Sequence, residues 1–358
     1  MEYNVIHQGD CIEVMRSLPD ESIDLAFIDP PYFMQTSGDL HRTNGEVFDG
    51  VKDKWDKFVG MDEYEKFTYD YLKECRRVLK KDGAIWIIGS FQNIYTVGHI
   101  MLKLGFWILN DVIWSKPNAV PNFTGSRFQN SHETLLWCSK SKGSKYQFNY
   151  KTMKGLNGGK QMKSVWDIGI CIGSERLKDK DGKKLHSTQK PEKLLENIIL
   201  ATTVEGDVVL DPFFGTGTTG AIAKKFGRKY IGIELDPAYV EASERRIRAV
   251  ETISDEYTRA EFDIKPPKVP VARLIAEGYL AVGEKLYDKS GKVVAKLNAD
   301  GKATVLSDGF VGSIHKVSAH ILGKANHNGW DYFYVYPPGF HLIPINSLRY
   351  LYKEDHTK

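Results

Sequence analysis

Two segments of the sequence combine residue types that suit the transfer of a small group to an aromatic amine. The first is Asp29-Pro30-Pro31-Tyr32, which follows an apolar run at residues 24–28. An exocyclic amine is a poor nucleophile while its lone pair is delocalised into the ring. The Asp29 carboxylate and the rigidly held Pro30 carbonyl can accept its two protons and localise that pair. Tyr32 offers a flat face on which a base taken out of a duplex can stack. We predict that all four residues are catalytic, the alternative being a chance strand-to-loop turn.

The second segment, DPFFGTG at residues 211–217, joins an apolar run to a segment of helical period. Glycines in such a turn let the backbone approach a ligand closely. Glu234 ends the next apolar run about 20 residues further on, where a carboxylate can bind both hydroxyls of a ribose. The third glycine of the dinucleotide pattern is displaced by one place, at Gly220. The segment therefore favours S-adenosyl-L-methionine over a dinucleotide, and a tight turn without a ligand is the alternative.

Both segments need a sheet to position them. Short apolar runs rich in β-branched residues alternate with helix-period segments, which is typical of an α/β fold with helices on both faces of a parallel sheet. One βαβ unit is predicted from a strand at 24–28, a helix at 67–79 and a strand at 84–88. A second is predicted from a strand at 208–210, a helix from Thr218 to Gly227 and a strand at 230–233. Both chemical segments would then lie at carboxyl ends of strands, where open α/β sheets bind ligands.

The composition sets the class of protein. In 358 residues, 42% hydrophobic and 27% charged side chains describe a globular chain able to bury a core. No apolar run approaches the roughly 18 residues of a membrane span, and the N-terminus does not resemble a signal peptide, so we expect a cytoplasmic protein. The four cysteines, Cys11, Cys75, Cys138 and Cys171, lack paired spacing, and no cluster of residues predicts a metal site.

The basic residues are unevenly distributed. Residues 1–120 contain 13 Lys and Arg against 19 Asp and Glu, whereas residues 121–192 contain 14 against 6 and residues 265–358 contain 13 against 8. The irregular region 118–185 and a β-rich unit at 271–358, separated from the rest by a proline-rich linker at 265–270, therefore carry the positive charge. Such stretches predict contact with a polyanion. A solvated lysine-rich surface is the alternative.

Together these motifs resemble the amino-methyltransferases that act on DNA, specifically the beta class of adenine-N6 enzymes. In that class the catalytic half precedes the cofactor half, a circularly permuted order, with the target-recognition region between them. A third family motif matches HSTQKP at 186–191, with Ser187 in place of the usual proline. The resemblance implies a Rossmann-like S-adenosylmethionine-dependent fold. It implies a catalytic domain at 1–264 with its recognition insertion at 118–185, and a small β-rich accessory domain at 271–358 that contacts DNA.

The resemblance also implies which residues hold the cofactor. Asp10 would accept from the adenine amine of the cofactor, although by sequence alone it is a turn residue. Lys190 would meet the methionine carboxylate or a DNA phosphate. The predicted cofactor-binding residues are Asp10, Cys11, Ser187, Thr188, Gln189, Lys190, Asp211, Phe213, Phe214, Gly215, Thr216, Gly217, Thr218 and Glu234.

The closest resemblance is to the cell-cycle-regulated subgroup, which methylates GANTC. Arg127 is the first candidate for reading guanine in the major groove, and a phosphate contact or a surface ion pair is the alternative. Trp55 and Trp330 are predicted to contact DNA through their aromatic rings, and packing in the protein core is the alternative for each. His132 is interpreted as structural. The predicted DNA-binding residues are Arg42, Trp55, Asn122, Arg127, Ser313, His315, Lys316 and Trp330.

Other acceptors and other classes of function remain open at this point. Cytosine N4, adenine in RNA or a glutamine amide would present a similar planar amine to the same tetrad. A noncatalytic DNA-binding or cofactor-sensing module is the alternative of another class. The resemblance implies double-stranded DNA as partner, a homodimer and a cognate restriction endonuclease as further partners, and a bacterial or phage protein associated with the nucleoid.

Overall fold

The computed structural model divides the chain into two compact units, Met1–Asp263 and Ile264–Lys358. Each unit has a hydrophobic core of its own. The structure describes residues 1–33, 40–41, 47–48, 58–122, 125–178, 182–186, 188–253, 267–337 and 342–356. Within those residues, none of the helices combines the length and the apolar character that crossing a bilayer requires.

The first unit alternates strands and helices. Its strands are β1 Val5–Gln8, β2 Ile23–Ile28, β3 Leu40–His41, β4 Val47–Phe48, β5 Leu79–Gly89, β6 Trp107–Ser115, β7 His132–Ser139, β8 Val165–Asp167, β9 Val208–Asp211 and β10 Lys229–Glu234. Its helices are α1 Cys11–Ser17, α2 Met61–Val78, α3 Ile94–Lys103, α4 Tyr150–Leu156, α5 Glu192–Thr202, α6 Thr218–Lys225 and α7 Pro237–Arg248, with a 3₁₀ turn at Gly173–Glu175.

The described strands of this unit form an eight-stranded sheet in the order β1-β10-β9-β2-β5-β7-β6-β8, and β3 pairs with β4 separately. Strands β1, β10, β9, β2 and β5 are mutually parallel. Strand β7 is antiparallel to both β5 and β6. The sheet is therefore mixed, where the sequence predicted a parallel one. Apolar runs indicate a buried strand but not its direction.

Helices cover both faces of the sheet, as the sequence predicted. Leu25 and Phe27 of β2 point into one apolar cluster, which α5 and α6 complete. Ala26 and Ile28 point into the other, which α1, α2 and α3 complete. Neighbouring side chains of a strand point to opposite faces, so a strand buried on both faces is apolar throughout.

The boundary between α2 and β5 differs from the predicted one. The sequence placed the turn at Asp82-Gly83, but the helix ends at Val78 and the strand begins at Leu79. Gly83 lies inside β5, where an added Cβ would be 3.1 Å from the backbone oxygens of Ile23 and Asp24. The glycine therefore permits a close approach of two strands and does not mark a turn.

The region 118–185 includes part of the sheet. It contains β7, which lies between β5 and β6, and β8 at the sheet edge. The segment 116–131 connects β6 to β7, and the strand residues that flank it, Ser115 and His132, are paired.

The second unit is built on an antiparallel six-stranded sheet of order β14-β13-β12-β11-β15-β16 in its described residues. The predicted turn signals at 288–291 and 298–301 connect β11 to β12 and β12 to β13, and Gly291 and Gly301 have φ of +84° and +76°. The strands are β11 Lys285–Tyr287, β12 Val293–Leu297, β13 Ala303–Val305, β14 Val311–Gly312, β15 Tyr334–Val335 and β16 Ile343–Pro344. The helices are α8 Val271–Ala276, α9 Ile314–Ile321, α10 Gly329–Tyr332 and α11 Ser347–Asp355.

Candidate active site

A cavity of about 800 Å³ opens at the carboxyl ends of β2, β9 and β10 in the first unit. Its walls include the tetrad after β2, the turn after β9 and Glu234 at the end of β10. The segment before α5 closes one side with His186, Thr188, Gln189 and Lys190. The two segments singled out from the sequence are thus brought together in one cavity. Their proximity follows from the direct pairing of β2 with β9.

Asp29 is enclosed by polar partners. Its Oδ2 atom lies 2.8 Å from Lys190 Nζ, and the Tyr32 hydroxyl lies 3.1 Å from its Oδ1 atom. Burial raises the pKa of Asp29 above its usual range, while Lys190 opposes that rise. A lysine at hydrogen-bond distance therefore favours the ionised carboxylate, which accepts hydrogen bonds and does not donate them.

A second carboxylate, Glu133 of β7, reaches the same hydroxyl. Its Oε2 atom lies 3.0 Å from the Tyr32 hydroxyl, and its Oε1 atom lies 3.0 Å from Lys116 Nζ. Burial alone would raise the pKa of Glu133, but Lys190 and Lys116 outweigh burial and hold this pKa below its usual value. The antiparallel direction of β7 places its first residues at the carboxyl end of β5, which explains why Glu133 can reach Tyr32.

The backbone of the tetrad is held by α2. The buried Tyr64 hydroxyl donates to the carbonyl of Pro31 at 3.1 Å and accepts from Asn93 Nδ2 at 3.0 Å. Phe33, the next residue after the tetrad, has φ of +50° and stacks on the Tyr64 ring, with a centroid distance of 5.5 Å. A phenylalanine in this left-handed conformation is strained, and such strain persists only where surrounding contacts impose it.

The turn after β9 depends on its glycines. Gly215 and Gly217 have φ of +51° and +74°, and Gly217 is the N-cap of α6. Phe214 fills the space beside Gly220 and Gly232, because a Cβ at either glycine would lie 2.5 Å from its ring. Phe213 packs edge-on against Tyr71, with a centroid distance of 5.2 Å, and both phenylalanines line the cavity.

Two acids support this turn. Glu234 accepts from Gly215 N–H through Oε2 at 2.7 Å and from Asp236 N–H through Oε1 at 2.8 Å. Asp211 accepts from Thr219 Oγ1 at 2.6 Å and from Phe213 N–H at 3.0 Å. Burial raises the pKa of Asp211 to about 7 and also raises that of Glu234. Each carboxylate oxygen keeps a second lone pair, so Glu234 can hold the turn and accept from a ribose as well.

Asp10 and Cys11 also line the cavity. Asp10 is the N-cap of α1, and its Oδ1 atom accepts from the N–H groups of Ile12 and Glu13 at 2.9 and 3.0 Å. Both capping bonds use the same oxygen, which leaves Oδ2 available to a ligand amine. Burial raises the pKa of Cys11 to about 12, so its thiol stays protonated.

The segment before α5 is tied down by its own polar groups. The Gln189 amide donates to the carbonyl of Glu175 at 2.8 Å and accepts from Leu177 N–H at 3.0 Å. Thr188 N–H donates to His186 Nδ1 at 3.1 Å. Burial, with smaller effects of Lys190 and Arg176, lowers the pKa of His186 to about 4, so this ring is neutral at pH 7. Thr216 and Thr218 are buried in the facing turn, and Thr218 Oγ1 accepts from Arg246 at 2.8 Å.

The predicted DNA-binding residues are placed as follows. In the segment between β6 and β7, Arg127 is exposed and Asn122 is half-buried, and the Arg127 guanidinium stacks over Phe91 at 5.5 Å. Ser313 is the N-cap of α9, and both His315 and Lys316 are exposed on that helix. Three further predictions, Arg42, Trp55 and Ser187, lie outside the described residues.

Trp330 is only 9% exposed and packs in the core of the second unit, with Arg349 stacked over its ring at 4.6 Å. This placement favours its core alternative over an aromatic platform for DNA.

Sequence reasoning missed Glu133, Lys116 and Tyr64. From the sequence, Glu133 was predicted only to stand at the beginning of an apolar strand. A signal was present, because an acid directly before a buried run must be exposed or paired. In the described residues, no group of three or more His, Cys, Asp and Glu side chains is arranged to hold a metal ion.

The comparisons with known proteins match both parts of the chain. A family model for N6 and N4 methyltransferases, described as DNA methylase, matches residues 23–245. The chain belongs to this DNA methylase family. A second model, described as Restriction Enzyme Adenine Methylase Associated, matches residues 252–352. The two matched ranges follow one another along the chain, so the methylase carries the adenine-methylase-associated module after the part that matches the DNA methylase model.

Curated relatives extend the match over nearly the whole methylase. It is 55% identical over 349 residues to the Type II methyltransferase M.HinfI of Haemophilus influenzae, an alignment that covers 98% of this chain and 96% of that protein. It is 42% identical over 246 residues to the Type II methyltransferase M2.DpnII of Streptococcus pneumoniae, which covers 68% of this chain and 90% of that protein.

Solved structures agree with the fold. The complex of M1.HpyAVI with S-adenosylmethionine matches with a TM-score of 0.50 and 25% identity, covering 68% of this chain and 98% of that one. The cytosine-N4-specific PvuII DNA methyltransferase matches with a TM-score of 0.55 and 21% identity, covering 73% and 91%, and this likeness shows the fold alone. The predicted fold class, the adenine-specific DNA methyltransferase of the beta class and the cofactor S-adenosyl-L-methionine are confirmed.

Proposed function

We propose that this methyltransferase modifies N6 of an adenine flipped out of double-stranded DNA, within the sequence GANTC. One observation carries the proposal: the tetrad and the cofactor turn line the same cavity. The GANTC target rests on the resemblance of the whole chain to the cell-cycle-regulated subgroup. A base must leave the duplex to enter such a cavity, at a cost of a few kcal/mol that stacking on Tyr32 offsets in part.

Asp29 and the Pro30 carbonyl accept the two protons of the adenine amine and aim the nitrogen lone pair at the methyl group. Pro31, held by Tyr64, keeps the backbone of the tetrad rigid. When bound, S-adenosylmethionine supplies the methyl group on a sulfonium, which is a good leaving group. The amine nitrogen forms the new bond as the sulfur–carbon bond breaks, and the surplus proton leaves during or after the transfer.

The residues of the cavity suit this cofactor. Glu234 binds the ribose hydroxyls, while the glycine turn admits the nucleoside because no side chain occupies that space. Asp10 accepts from the adenine amine of the cofactor through its second oxygen. Polar groups before α5 and in the turn hold the methionine portion. We assign that role to Ser187, Thr188, Gln189, Lys190, Thr216 and Thr218, with backbone or packing roles for Cys11, Asp211, Phe213, Phe214, Gly215 and Gly217.

The region 118–185 would read the target, with Arg127 in contact with guanine, and the unit at 271–358 would hold the DNA backbone. The domain boundaries at 264 and 271 follow from the sequence. The proposed DNA contacts are Arg42, Trp55, Asn122, Arg127, Ser313, His315 and Lys316, whereas Trp330 keeps a core role. A homodimer, a cognate restriction endonuclease and a cytoplasmic, nucleoid-associated location complete the proposal.

The test uses purified protein, labelled cofactor and two duplexes that differ only in GANTC against GTNAC. Label should enter the GANTC duplex alone, and digestion with nuclease and phosphatase should release N6-methyl-2′-deoxyadenosine. Asp29→Ala should abolish transfer and keep cofactor binding. N4-methylcytosine in the digest, or normal transfer by Asp29→Ala, would overturn the proposal.

A further inference from the structure

The Tyr32 hydroxyl lies between two carboxylates. Asp29 Oδ1 is 3.1 Å away and Glu133 Oε2 is 3.0 Å away. One hydroxyl carries one proton, so it can donate fully to only one of them at a time. From this geometry we infer that Glu133 is a positioning residue, which draws the Tyr32 hydroxyl away from Asp29 and frees an Asp29 oxygen for the adenine amine. The inference deepens the proposed function and rests on it.

The oxygens of Asp29 explain why an alternative acceptor matters. Oδ2 is bonded to Lys190 at 2.8 Å, so Oδ1 is the atom left for the amine. A tyrosine that donates only to Oδ1 would compete with the amine for its lone pairs. Glu133 removes this competition because it offers the hydroxyl a second acceptor of the same charge. The proton stays on Tyr32 throughout, since burial and both carboxylates raise the pKa of this hydroxyl well above its usual value.

Two lysines favour the ionised form of both carboxylates. Lys116 lies 3.0 Å from Glu133 Oε1, and the Lys190 ammonium lies 5.2 Å from the centre of the Tyr32 ring. The Lys116 and Lys190 side chains are 10% and 8% exposed, so water screens them little. Asp211 at the end of β9 is a further acid near Asp29. The group therefore contains two lysines, two paired carboxylates and one shared hydroxyl, drawn from four separate parts of the chain.

The pH dependence of methyl transfer tests the inference. Asp29 must be ionised to accept the amine proton, so the rate falls on the acid side as Asp29 is protonated. Glu133 raises the pKa of Asp29 and Lys190 lowers it. In a plot of the single-turnover rate against pH, the acid limb is the range in which the rate falls as Asp29 is protonated. Glu133→Gln should therefore move this limb to lower pH by about one unit, and Lys190→Met should move it to higher pH by a similar amount.

The rates themselves provide a second readout. Glu133→Gln should lower the plateau rate by about tenfold, the equivalent of one charge-assisted hydrogen bond. Tyr32→Phe keeps the stacking ring and removes the hydroxyl. In the Tyr32→Phe protein, adding Glu133→Gln should change the plateau by less than about twofold, since Glu133 acts through that hydroxyl. Equal effects of Glu133→Gln with and without the hydroxyl would overturn the inference.

Glu196 provides the matched control. It pairs with Lys225 at 2.7 Å and Lys193 at 3.6 Å and is 19% exposed, close to the 15% of Glu133, but it lies on α5 and does not share the Tyr32 hydroxyl, which Glu133 does. Glu196→Gln should leave the acid limb in place. Thermal melting and cofactor affinity of each variant verify folding. An acid limb that stays in place in Glu133→Gln refutes the inference, whereas a wild-type protein that methylates no adenine refutes the proposed function as well.

Discussion

Glu234 links the cofactor turn to the end of β10 through two backbone N–H groups. Glu234→Gln replaces one acceptor oxygen by an NH₂ group, which cannot accept from the backbone or from a ribose hydroxyl. We expect the Kd for S-adenosylmethionine to rise by about 10- to 100-fold, since hydrogen bonds to a charged group contribute about 1.5–3 kcal/mol. Titration calorimetry measures this change.

Glu241→Gln is the matched control for that prediction. Glu241 lies on α7, is exposed and is not in the wall of the cavity. Its substitution should leave the Kd within about twofold. Equal affinities of Glu234→Gln and wild type would remove Glu234 from the cofactor site.

Residues of the candidate site differ in how far the sequence alone predicts their positions. Asp29, Gly215 and Glu234 follow apolar runs, so their place at strand ends could be predicted from the run alone. Glu133 also adjoins an apolar run but precedes it, and it reaches Tyr32 only because β7 is antiparallel. The sequence contains no local sign of that direction. Lys190 was expected at the cofactor or at DNA, and its contact with Asp29 depends on a fold that brings residues far apart in sequence together.

Strand β10 and helix α6 pack closely because two glycines make room for Phe214. A Cβ at Gly232 would lie 2.5 to 2.7 Å from three atoms of that ring. Gly232→Ala should therefore destabilise the protein by about 1–3 kcal/mol, as overpacking of a rigid core does. Chemical denaturation measures the loss.

Two further variants separate overpacking from other effects of the change. Phe214→Leu should partly rescue Gly232→Ala, because a smaller side chain leaves space for the added methyl group. Gly143→Ala should be neutral, since nothing lies within 4 Å of a Cβ at that position. A Gly232→Ala protein as stable as wild type would show that the ring can move at little cost.

The sequence predicts some strands of the sheet better than others, and the difference has a physical reason. Strands β2, β9 and β10 are buried on both faces, and continuous apolar runs identify them well. The start of β5 was misplaced, because Lys80, Lys81 and Asp82 are polar although they belong to the strand. These residues project beyond the buried part of the sheet, where the apolar signal is absent.

The charge of the molecule as a whole predicts how it binds DNA. Its net charge is only +3, but the acidic excess lies in residues 1–120 and the basic excess in 121–192 and 265–358. The logarithm of the DNA association constant should fall linearly with that of salt concentration, with a slope of about −0.9 per phosphate contact. Fluorescence anisotropy of labelled DNA at several salt concentrations gives the association constants from which this slope is obtained.

A pair of lysines refines this prediction. Lys316→Gln on α9 should reduce the slope by about 0.9, because it removes one proposed phosphate contact. Lys66→Gln should not, since Lys66 pairs with Asp70 at 2.5 Å within the acidic part of the chain. A slope that neither substitution changes would exclude Lys316 from the contact with DNA.

The pairing of Ser115 with His132 has a consequence for how such proteins acquire new targets. Both ends of the segment at 116–131 leave the sheet side by side, and this segment carries Arg127. Its length and sequence can therefore change during evolution without shifting the register of β6 and β7. If Arg127 reads the target as proposed, new specificities would arise by exchange of the segment between these two strand residues, while the machinery that moves the methyl group is inherited intact.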